Sequence, residues 1–292
     1  MEQPFVTIGI PVYNVGQFIG LTLKSVLSQT FTNFELIITD DGSTDNTVEI
    51  IRLFKDPRIR LFADGENRGI SYRLNQQIDL AKGKYYVRMD GDDVMFPNRV
   101  EKEVYYLEEH PEVDVVGTGA VIIDEDNNII GQRSSQVNCT RPEDVINNTP
   151  FIHPTVCGKI EYFRNYKYDE MLNGVEDKDL WCRGLVGSVY ACIPEPLLFY
   201  RDPLKLKLST YLSRQKKGRK QVFLRWHLFN QKLPAIKYVK DTYVKSIIAW
   251  VLCKLGAESL LVAKRNTIDL NSAAHQATLN QIIKNSGSAF CE

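Results

Sequence analysis

Lys84-Tyr85-Tyr86-Val87-Arg88-Met89-Asp90-Gly91-Asp92-Asp93 contains a strand-like apolar run, Tyr85 to Met89, that ends in three carboxylates within four residues. Gly91 among them lets the backbone turn sharply. Like charges this close raise one another's pKa and repel, so the cluster calls for a positive partner. A solvated acidic turn is the plain alternative for any Asp-rich loop. An all-oxygen donor set without His or Cys suits a hard divalent cation, Mn²⁺ or Mg²⁺, which keeps several waters and takes one or two carboxylates plus substrate phosphates. Asp90-x-Asp92 is a short signal, and the flanking sequence decides whether a nucleotide belongs beside it.

Upstream, Val6-Thr7-Ile8-Gly9-Ile10, stopped by Pro11, reads as a buried parallel strand. Val12-Tyr13-Asn14 follows as a loop, and Ile19, Leu23, Val26 and Leu27 then mark one helical face between Gln17 and Leu27. The loop has neither a Gly-x-Gly-x-x-Gly dinucleotide fingerprint nor a Walker lysine. A second strand, Phe34 to Ile38, ends in Asp40-Asp41-Gly42-Ser43-Thr44-Asp45, where Thr44 or Asp45 can cap a helix carrying Val48, Ile51 and Phe54. A third, Arg58 to Phe62, leads to Asn67-Arg68-Gly69 and a helix with Ile70, Leu74 and Ile78. Alternating β and α elements predict a mostly parallel sheet whose loops gather at the strand C-termini, so that Tyr13, Asp41, Asn67 and Asp92 converge.

Downstream, Pro97 suits the first turn of a helix that buries Val100, Val104 and Leu107. Val113 to Ile123 is strand-like, and 124–128 is a turn before Ile129-Ile130. Thr140-x-x-Glu143, with Pro142, reads as a capping box. A second acidic site, Glu176-Asp177-Lys178-Asp179-Leu180-Trp181, reads as a short helix with Leu180 and Trp181 on its apolar side. Glu176 and Asp177 then lie at its N-terminal end, where the helix dipole favours an ionised base.

The 292 residues, 43% hydrophobic and 25% charged, are ordinary for a globular protein with ample core. The formal net charge is zero, but residues 1–202 carry 20 Lys+Arg against 32 Asp+Glu, and residues 203–292 carry 16 against 4. The six cysteines lack any Cys-x-x-Cys pair, which argues against zinc and a disulfide framework and for reduced cytosolic thiols. Met1 leads straight into a strand pattern without a secretory signal, so the expected location is cytoplasmic, or peripheral on the inner face of the cell membrane.

Six motifs in register resemble the nucleotide-binding half of the family 2 glycosyltransferases, inverting enzymes with the GT-A (nucleotide-diphospho-sugar transferase) fold. They are Ile8-Gly9-Ile10-Pro11-Val12-Tyr13-Asn14, Ser25-Val26-Leu27-Ser28-Gln29-Thr30-Phe31, Asp40 to Asp45, Asn67-Arg68-Gly69 with Leu74-Asn75, Asp90-Gly91-Asp92-Asp93, and Glu176-Asp177 with Asp179-Leu180-Trp181. The resemblance implies an α/β GT-A fold: a mostly parallel central sheet flanked by helices, with a C-terminal helical basic extension. It divides the chain into a catalytic domain, 1–202, with a donor-binding half at about 1–123 and an acceptor-side half at 124–202, and an extension, 203–292. It implies that Pro11, Tyr13 and Asn14 pack on the donor base and that Asp41 reads the uracil imide of a UDP-sugar. Asn67, Arg68, Arg73, Asp90 and Gly91 complete the donor site. Asp92, with Asp90, binds the Mn²⁺ or Mg²⁺ ion that bridges the diphosphate, and Asp177 beside Glu176 is the general base. His153, Trp181 and Arg201 fall on the acceptor side. Relatives often carry a His near Pro203, and His153 is the candidate substitute.

The implied reaction moves a sugar, from a donor such as a UDP-hexose, to a sugar hydroxyl of a glycan or lipid-linked acceptor. An inactive nucleotide-sugar-binding subunit and a sugar-nucleotide pyrophosphorylase are the alternatives, the latter lacking its Gly-rich loop here. Between Asp202 and Asp241 the chain has 11 Lys+Arg and no acid, interleaved with Phe223, Trp226 and Phe229. Nucleic-acid binding is one reading of that mixture. An amphipathic segment on an anionic membrane surface fits a transferase better, and a helical subdomain packed on the catalytic domain is the structural alternative. The longest uncharged apolar run, Ser246 to Cys253, is too short to span a bilayer.

Overall fold

The computed structural model describes residues 3–202, 208–256 and 266–287. Strands β1 (Val6–Val12), β2 (Phe34–Asp40), β3 (Ile59–Ala63) and β4 (Tyr85–Arg88) are parallel, in the order β3-β2-β1-β4, and are linked by helices α1 (Gly16–Leu27), α2 (Thr47–Leu53) and α3 (Ile70–Leu80). The alternating βα pattern produces this half: β1, β2 and β4 are almost wholly buried, and β3, at the sheet edge, is only partly so.

Beyond β4 the chain adds β5 (Val94–Met95), α4 (Arg99–Glu109), β6 (Val115–Ile123), β7 (Ile129–Arg133) and α5 (Pro142–Asn147). Then come β8 (Cys157–Lys159), α6 (Ile160–Tyr166), α7 (Glu176–Gly184) and β9 (Tyr190–Arg201). The sheet becomes mixed there: β8 pairs antiparallel with β4 and β6, β9 runs parallel to β6, and β5 pairs antiparallel with the end of β9. Strand β9 thereby brings Arg201 beside the acidic turn that follows β4.

Period-two alternation sorts the side chains. On β4, Tyr85, Val87 and then Met89 join Ile8, Ile10 and Leu23 in one core, while Tyr86 faces the other, with Leu74, Phe163, Leu180 and Trp181. Arg88 is in step with Tyr86, so its guanidinium enters the second layer, next to His153 and Tyr168. An arginine inside a strand is thus aimed beneath the acids that follow it.

The tail folds back as α8 (Leu208–Leu224), α9 (Leu233–Lys254) and α10 (Ser272–Gly287). Val222, Phe229 and Ala235 join the second core, and Leu279 and Ile282 cover Val121 and Phe199 in a third. Phe229 is buried and Trp226 packs against the same core, so these two rings do not form the membrane-facing row expected of them; Phe223 does stay exposed. The polar stretch after Asn271 forms α10, whose sparse apolar residues give little periodic signal. Among the described residues no helix is long and apolar enough to cross a membrane.

Two local expectations shift and a third holds. Asn46 immediately precedes α2 but makes no side-chain cap; the Asp45 carboxylate caps the helix, accepting from Thr47 N at 3.0 Å, and also takes Gly16 N at 2.9 Å, tying the starts of two helices together. Pro97 lies ahead of α4, which begins at Arg99. The carboxylate that closes the start of α5 is Asp144, accepting from Arg141 N at 3.1 Å and from Thr140, whereas Glu143 is buried and accepts from Gln231 N.

Candidate active site

The C-terminal ends of β1, β2, β3 and β4 form one edge, and hydrogen bonds lock their loops together. Asn14, in the left-handed region at φ 52°, donates its N–H to Ser43 Oγ at 3.0 Å and accepts from Thr44 N at 2.8 Å through its side chain. Asp41 takes Arg68 N at 2.8 Å and Gly69 N at 3.0 Å, which draws the loop after β3 onto the end of β2. Gly69 has φ 87° and lies against Asn173, so a side chain there would be both strained and blocked. Tyr13 stands half exposed on this edge, with Pro11 at its base and Asn67 on the exposed loop.

Arg73, expected to offer charge to a donor, is fully buried, and makes five hydrogen bonds inside the protein, including 3.1 Å to Asp41 and 2.6 Å to Asp64. It acts on the edge only through Asp41, which it positions. Arg68 remains exposed, stacked on Tyr72 and paired with Glu66. On Asp41, Oδ1 receives Arg68 N, Gly69 N and Arg73 while Oδ2 receives Gly69 N, leaving Oδ2 the acceptor capacity a base imide needs.

The carboxylates of Asp90, Asp92 and Asp93 each offer an oxygen within 4.8 Å of the others. Gly91 has no positive φ; it serves by space, since a Cβ there would come within 2.9 Å of Val12 and 3.1 Å of Val15. Thr22 Oγ1 holds the turn by donation shared between Gly91 O and Asp93 O. Arg201, placed on the acceptor side from sequence, is instead the outer clamp of the turn. Its N–H donates to Asp93 Oδ1 at 2.8 Å and its guanidinium to Asp92 O and Asp124 O, with Phe18 stacked at 4.3 Å.

Burial first, and the Asp90 charge second, push Asp92 up to about 6; burial, Asp92 and Asp90 hold Asp93 well above the carboxylate range. Asp93 Oδ2 is buried without a hydrogen-bond partner. An orphaned buried carboxylate oxygen within an all-oxygen cluster is what a divalent cation satisfies, so the residues fit the Mn²⁺ or Mg²⁺ expected from sequence.

The second acidic pair lies at the start of α7. Glu176 is buried and accepts from Gly174 N, while Asp177 is part-exposed in the first turn. Burial, then the Asp177 charge, push Glu176 up to about 7, against the expected ionised form: desolvation outweighs the helix dipole. Asn75 clasps the backbone of Tyr168 with both ends of its amide, 2.8 and 2.9 Å, and Asn173 Oδ1 takes Ser71 N, pinning the loop before α7 to the donor-side helix α3. Arg88 connects the two sites. It grips Asp90, and its charge also favours ionisation of Asp92 and Glu176.

Trp181 is fully buried among Phe151, Tyr162 and Tyr190, so it shapes α7 and touches no acceptor. His153 bonds Tyr168 OH at 2.9 Å, and burial together with Arg88 holds its pKa well below the usual value. The side chain named as the substitute is thus part-buried and engaged by Tyr168 within the protein. Arg88, Tyr168 and Asn173 are the site residues that motif reading passes over, and Asp93, though part of the acidic motif, is given no role of its own there. The signal for Arg88 is an arginine alone in an apolar strand next to three acids.

A mixed α/β sheet with an acidic turn after its fourth strand, and a second carboxylate pair within reach of the Arg88 charge, is consistent with the GT-A fold expected from sequence. Residues 7–171 match Glycosyl transferase family 2, and the chain belongs to that family. The putative glycosyltransferase EpsE of Bacillus subtilis is 36% identical over 188 residues, which are 62% of this chain and 66% of that protein. The uncharacterized glycosyltransferase MJ1057 of Methanocaldococcus jannaschii is 29% identical over 80% of this chain and 82% of its own. In architecture the chain is similar to S. aureus TarS 1-349 in complex with UDP-GlcNAc, with a TM-score of 0.64 at 16% identity over 96% of this chain and 80% of that one. It is also similar to the mannosyltransferase PcManGT of Pyrobaculum calidifontis in complex with GDP-Man and Mn²⁺, with a TM-score of 0.60 at 19% identity over 99% and 88%.

Proposed function

We propose that this glycosyltransferase is an inverting, metal-dependent enzyme that moves a hexose from a UDP-sugar to a sugar hydroxyl of a glycan or lipid-linked acceptor at the inner face of the cell membrane. The observation that carries the reading is one buried arginine, Arg88, serving two acidic stations with different tasks. Asp90, Asp92 and Asp93 suit the leaving diphosphate; Glu176 and Asp177 suit a hydroxyl proton. TarS and PcManGT, which share the architecture, are described with UDP-GlcNAc and with GDP-Man and Mn²⁺, in keeping with a nucleotide-sugar donor.

In this reading Tyr13 stacks on the base, Asp41 Oδ2 accepts the imide N–H, and the edge formed by the β1 and β4 loops orients the ribose and diphosphate. Asp92, with Asp90 and Asp93, would hold a divalent cation, which when bound would supply positive charge to the leaving diphosphate. Asp177 takes the acceptor hydroxyl proton as that oxygen attacks the anomeric carbon; the bond from that carbon to the diphosphate oxygen breaks, and its electron pair leaves with UDP. One displacement from the face opposite the leaving group inverts the anomeric centre. The fully buried Arg73 and the Asn75 clasp keep Asp41 and the α7 loop in place during the step.

UDP release from UDP-glucose and UDP-N-acetylglucosamine, assayed with Mn²⁺ and with EDTA, tests the reading. Slow Mn²⁺-dependent release is expected from one of them. Tight UDP binding without release from either, with acceptor glycans supplied, would leave a binding subunit in place of an enzyme.

A further inference from the structure

The outward face of α9 carries a row of apolar residues interrupted by Lys237 and Lys240, which fall on the same side at 100° per residue. Inward, the helix buries Ala235, Thr242 and Ala249, seven residues apart, and packs Tyr238 and Val239 on the second core. At 100° per residue the opposite face carries Leu233, Ile236, Val244, Ile247, Ile248 and Val251, exposed by between 40% (Val251) and 79% (Leu233). Tyr243 and Trp250 are half exposed along one margin. A helix on the surface of a globular domain turns polar residues outward, and one that is apolar on both sides is covered on both. The exposed stripe extends about 27 Å, from Leu233 to Val251, at about 1.5 Å per residue, a far larger surface than scattered apolar residues leave.

The charge around the stripe identifies what covers it. Lys237, Lys240, Lys245 and Lys254 are exposed on the same helix, against the single acid Asp241. The adjoining α8 adds Lys216, Arg219 and Lys220 and no acid, and Arg219 stacks on Tyr243 at 4.1 Å, joining the two helices, whereas Arg214 and Lys217 lie against Gly174 and Asn173. A second copy seated on this face would bring lysines against lysines. An anionic lipid surface instead neutralises them, while their stems lie along the apolar stripe and Tyr243 and Trp250 take the headgroup level.

We propose that the outward face of α9 is the surface by which the protein lies on an anionic bilayer, parallel to its plane. The inference deepens the membrane part of the proposed function and rests on it, but assigns the contact to α9 and not to the α8 cations with Phe223, Trp226 and Phe229. Catalysis is not needed to test it.

The full chain is sedimented with vesicles of equal parts phosphatidylglycerol and phosphatidylcholine, and with phosphatidylcholine alone, alongside three variants with solvent-facing changes. Ile247→Ser/Val251→Ser and Lys237→Gln/Lys240→Gln/Lys245→Gln/Lys254→Gln are each expected to weaken anionic binding at least about tenfold, since each basic residue at the surface contributes on the order of 1 kcal/mol. Lys216→Gln/Lys220→Gln is expected to weaken it much less. Trp250 fluorescence should shift to the blue with anionic vesicles, and Trp250→Phe should remove that shift. UDP-induced thermal stabilisation equal to wild type shows that each variant is folded. If wild type binds but both α9 variants bind equally well, the assignment to α9 is overturned while membrane binding stands. If wild type ignores anionic vesicles, both fall; dimers that Ile247→Ser/Val251→Ser returns to monomers would then identify a second copy as the cover.

Discussion

Arg88 holds Asp90 from a buried position with both arms of its guanidinium, Nη1 to Oδ2 at 2.8 Å and Nη2 to Oδ1 at 2.6 Å. Burial works against its charge, but Asp90 and the neighbouring acids outweigh that and hold its pKa above the ordinary arginine value. Asp90 is 27% exposed, so removing Arg88 leaves its charge only partly uncompensated, which costs about 1–3 kcal/mol. Arg88→Met should therefore lower stability by that order in EDTA, and Mn²⁺ should restore more stability to the variant than it adds to wild type. Urea unfolding with and without Mn²⁺ measures both; an unchanged midpoint in EDTA would mean the acids do not depend on Arg88.

The metal assignment is tested at Asp92. Asp92→Asn keeps the shape of the turn, which Thr22, Arg201 and the Gly91 contacts hold independently of this carboxylate. UDP affinity measured by calorimetry should fall at least about tenfold with Mn²⁺ present, the scale of one lost charged ligand at about 1.4 kcal/mol per decade, and should change little in EDTA. Equal affinity for wild type and variant in Mn²⁺ would remove Asp92 from the cation site.

Strand periodicity and helix stripes suffice to place the parallel half of the fold, because β1, β2 and β4 are almost wholly buried short apolar runs, and β3 at the sheet edge follows the same spacing between helices. The mixed half is less legible. Strand β9 includes Pro194 and Pro196, and its register against β6 shifts there, so no clean alternation marks it. The site shows the same division. Asp41, Asp92 and Asp177 lie at strand ends or a helix start, where local pattern is strong. The roles of Arg73, Arg201, His153 and Trp181 depend on burial, which spacing does not carry: each sits next to functional residues in sequence or space, and each is engaged by the protein itself.

Glu176 gives a pH signature. Its folded value, about 7, lies above its ordinary value of 4.5, so the neutral form is the one folding favours. The associated stability is fully present below pH 4.5 and is lost as pH rises through 7, by on the order of 1–3 kcal/mol at about 1.4 kcal/mol per unit. Glu176→Gln should remove this part of the pH dependence, so that the variant gains on wild type from pH 4.5 to 7.5 in thermal unfolding. A constant gap between the two across that range would contradict the burial argument.

Asp177 and Glu176 share the start of α7 but differ in exposure, and in the proposed mechanism that difference favours Asp177 as the base. Glu176 is buried and bonded to Gly174 N, with its proton retained to about pH 7; Asp177 is part-exposed in the first turn, where an acceptor hydroxyl can reach it. Proton abstraction by a positioned carboxylate contributes about 10²–10⁴-fold to rate. Asp177→Asn should therefore lower turnover by at least about 10²-fold while UDP affinity in Mn²⁺ stays within about twofold, because the donor edge and the α3 clasp on Tyr168 are untouched. Glu176→Gln preserves a neutral side chain of similar size, so its turnover below pH 7 should remain within about tenfold of wild type, a loss smaller than removal of a general base. Ionisation of Glu176 adds a second negative charge at the start of α7, so wild-type turnover should change through pH 7 and the Glu176→Gln profile should lack that change. If Glu176→Gln is the crippled variant and Asp177→Asn is not, the proton passes to Glu176 and the roles within the pair are reversed.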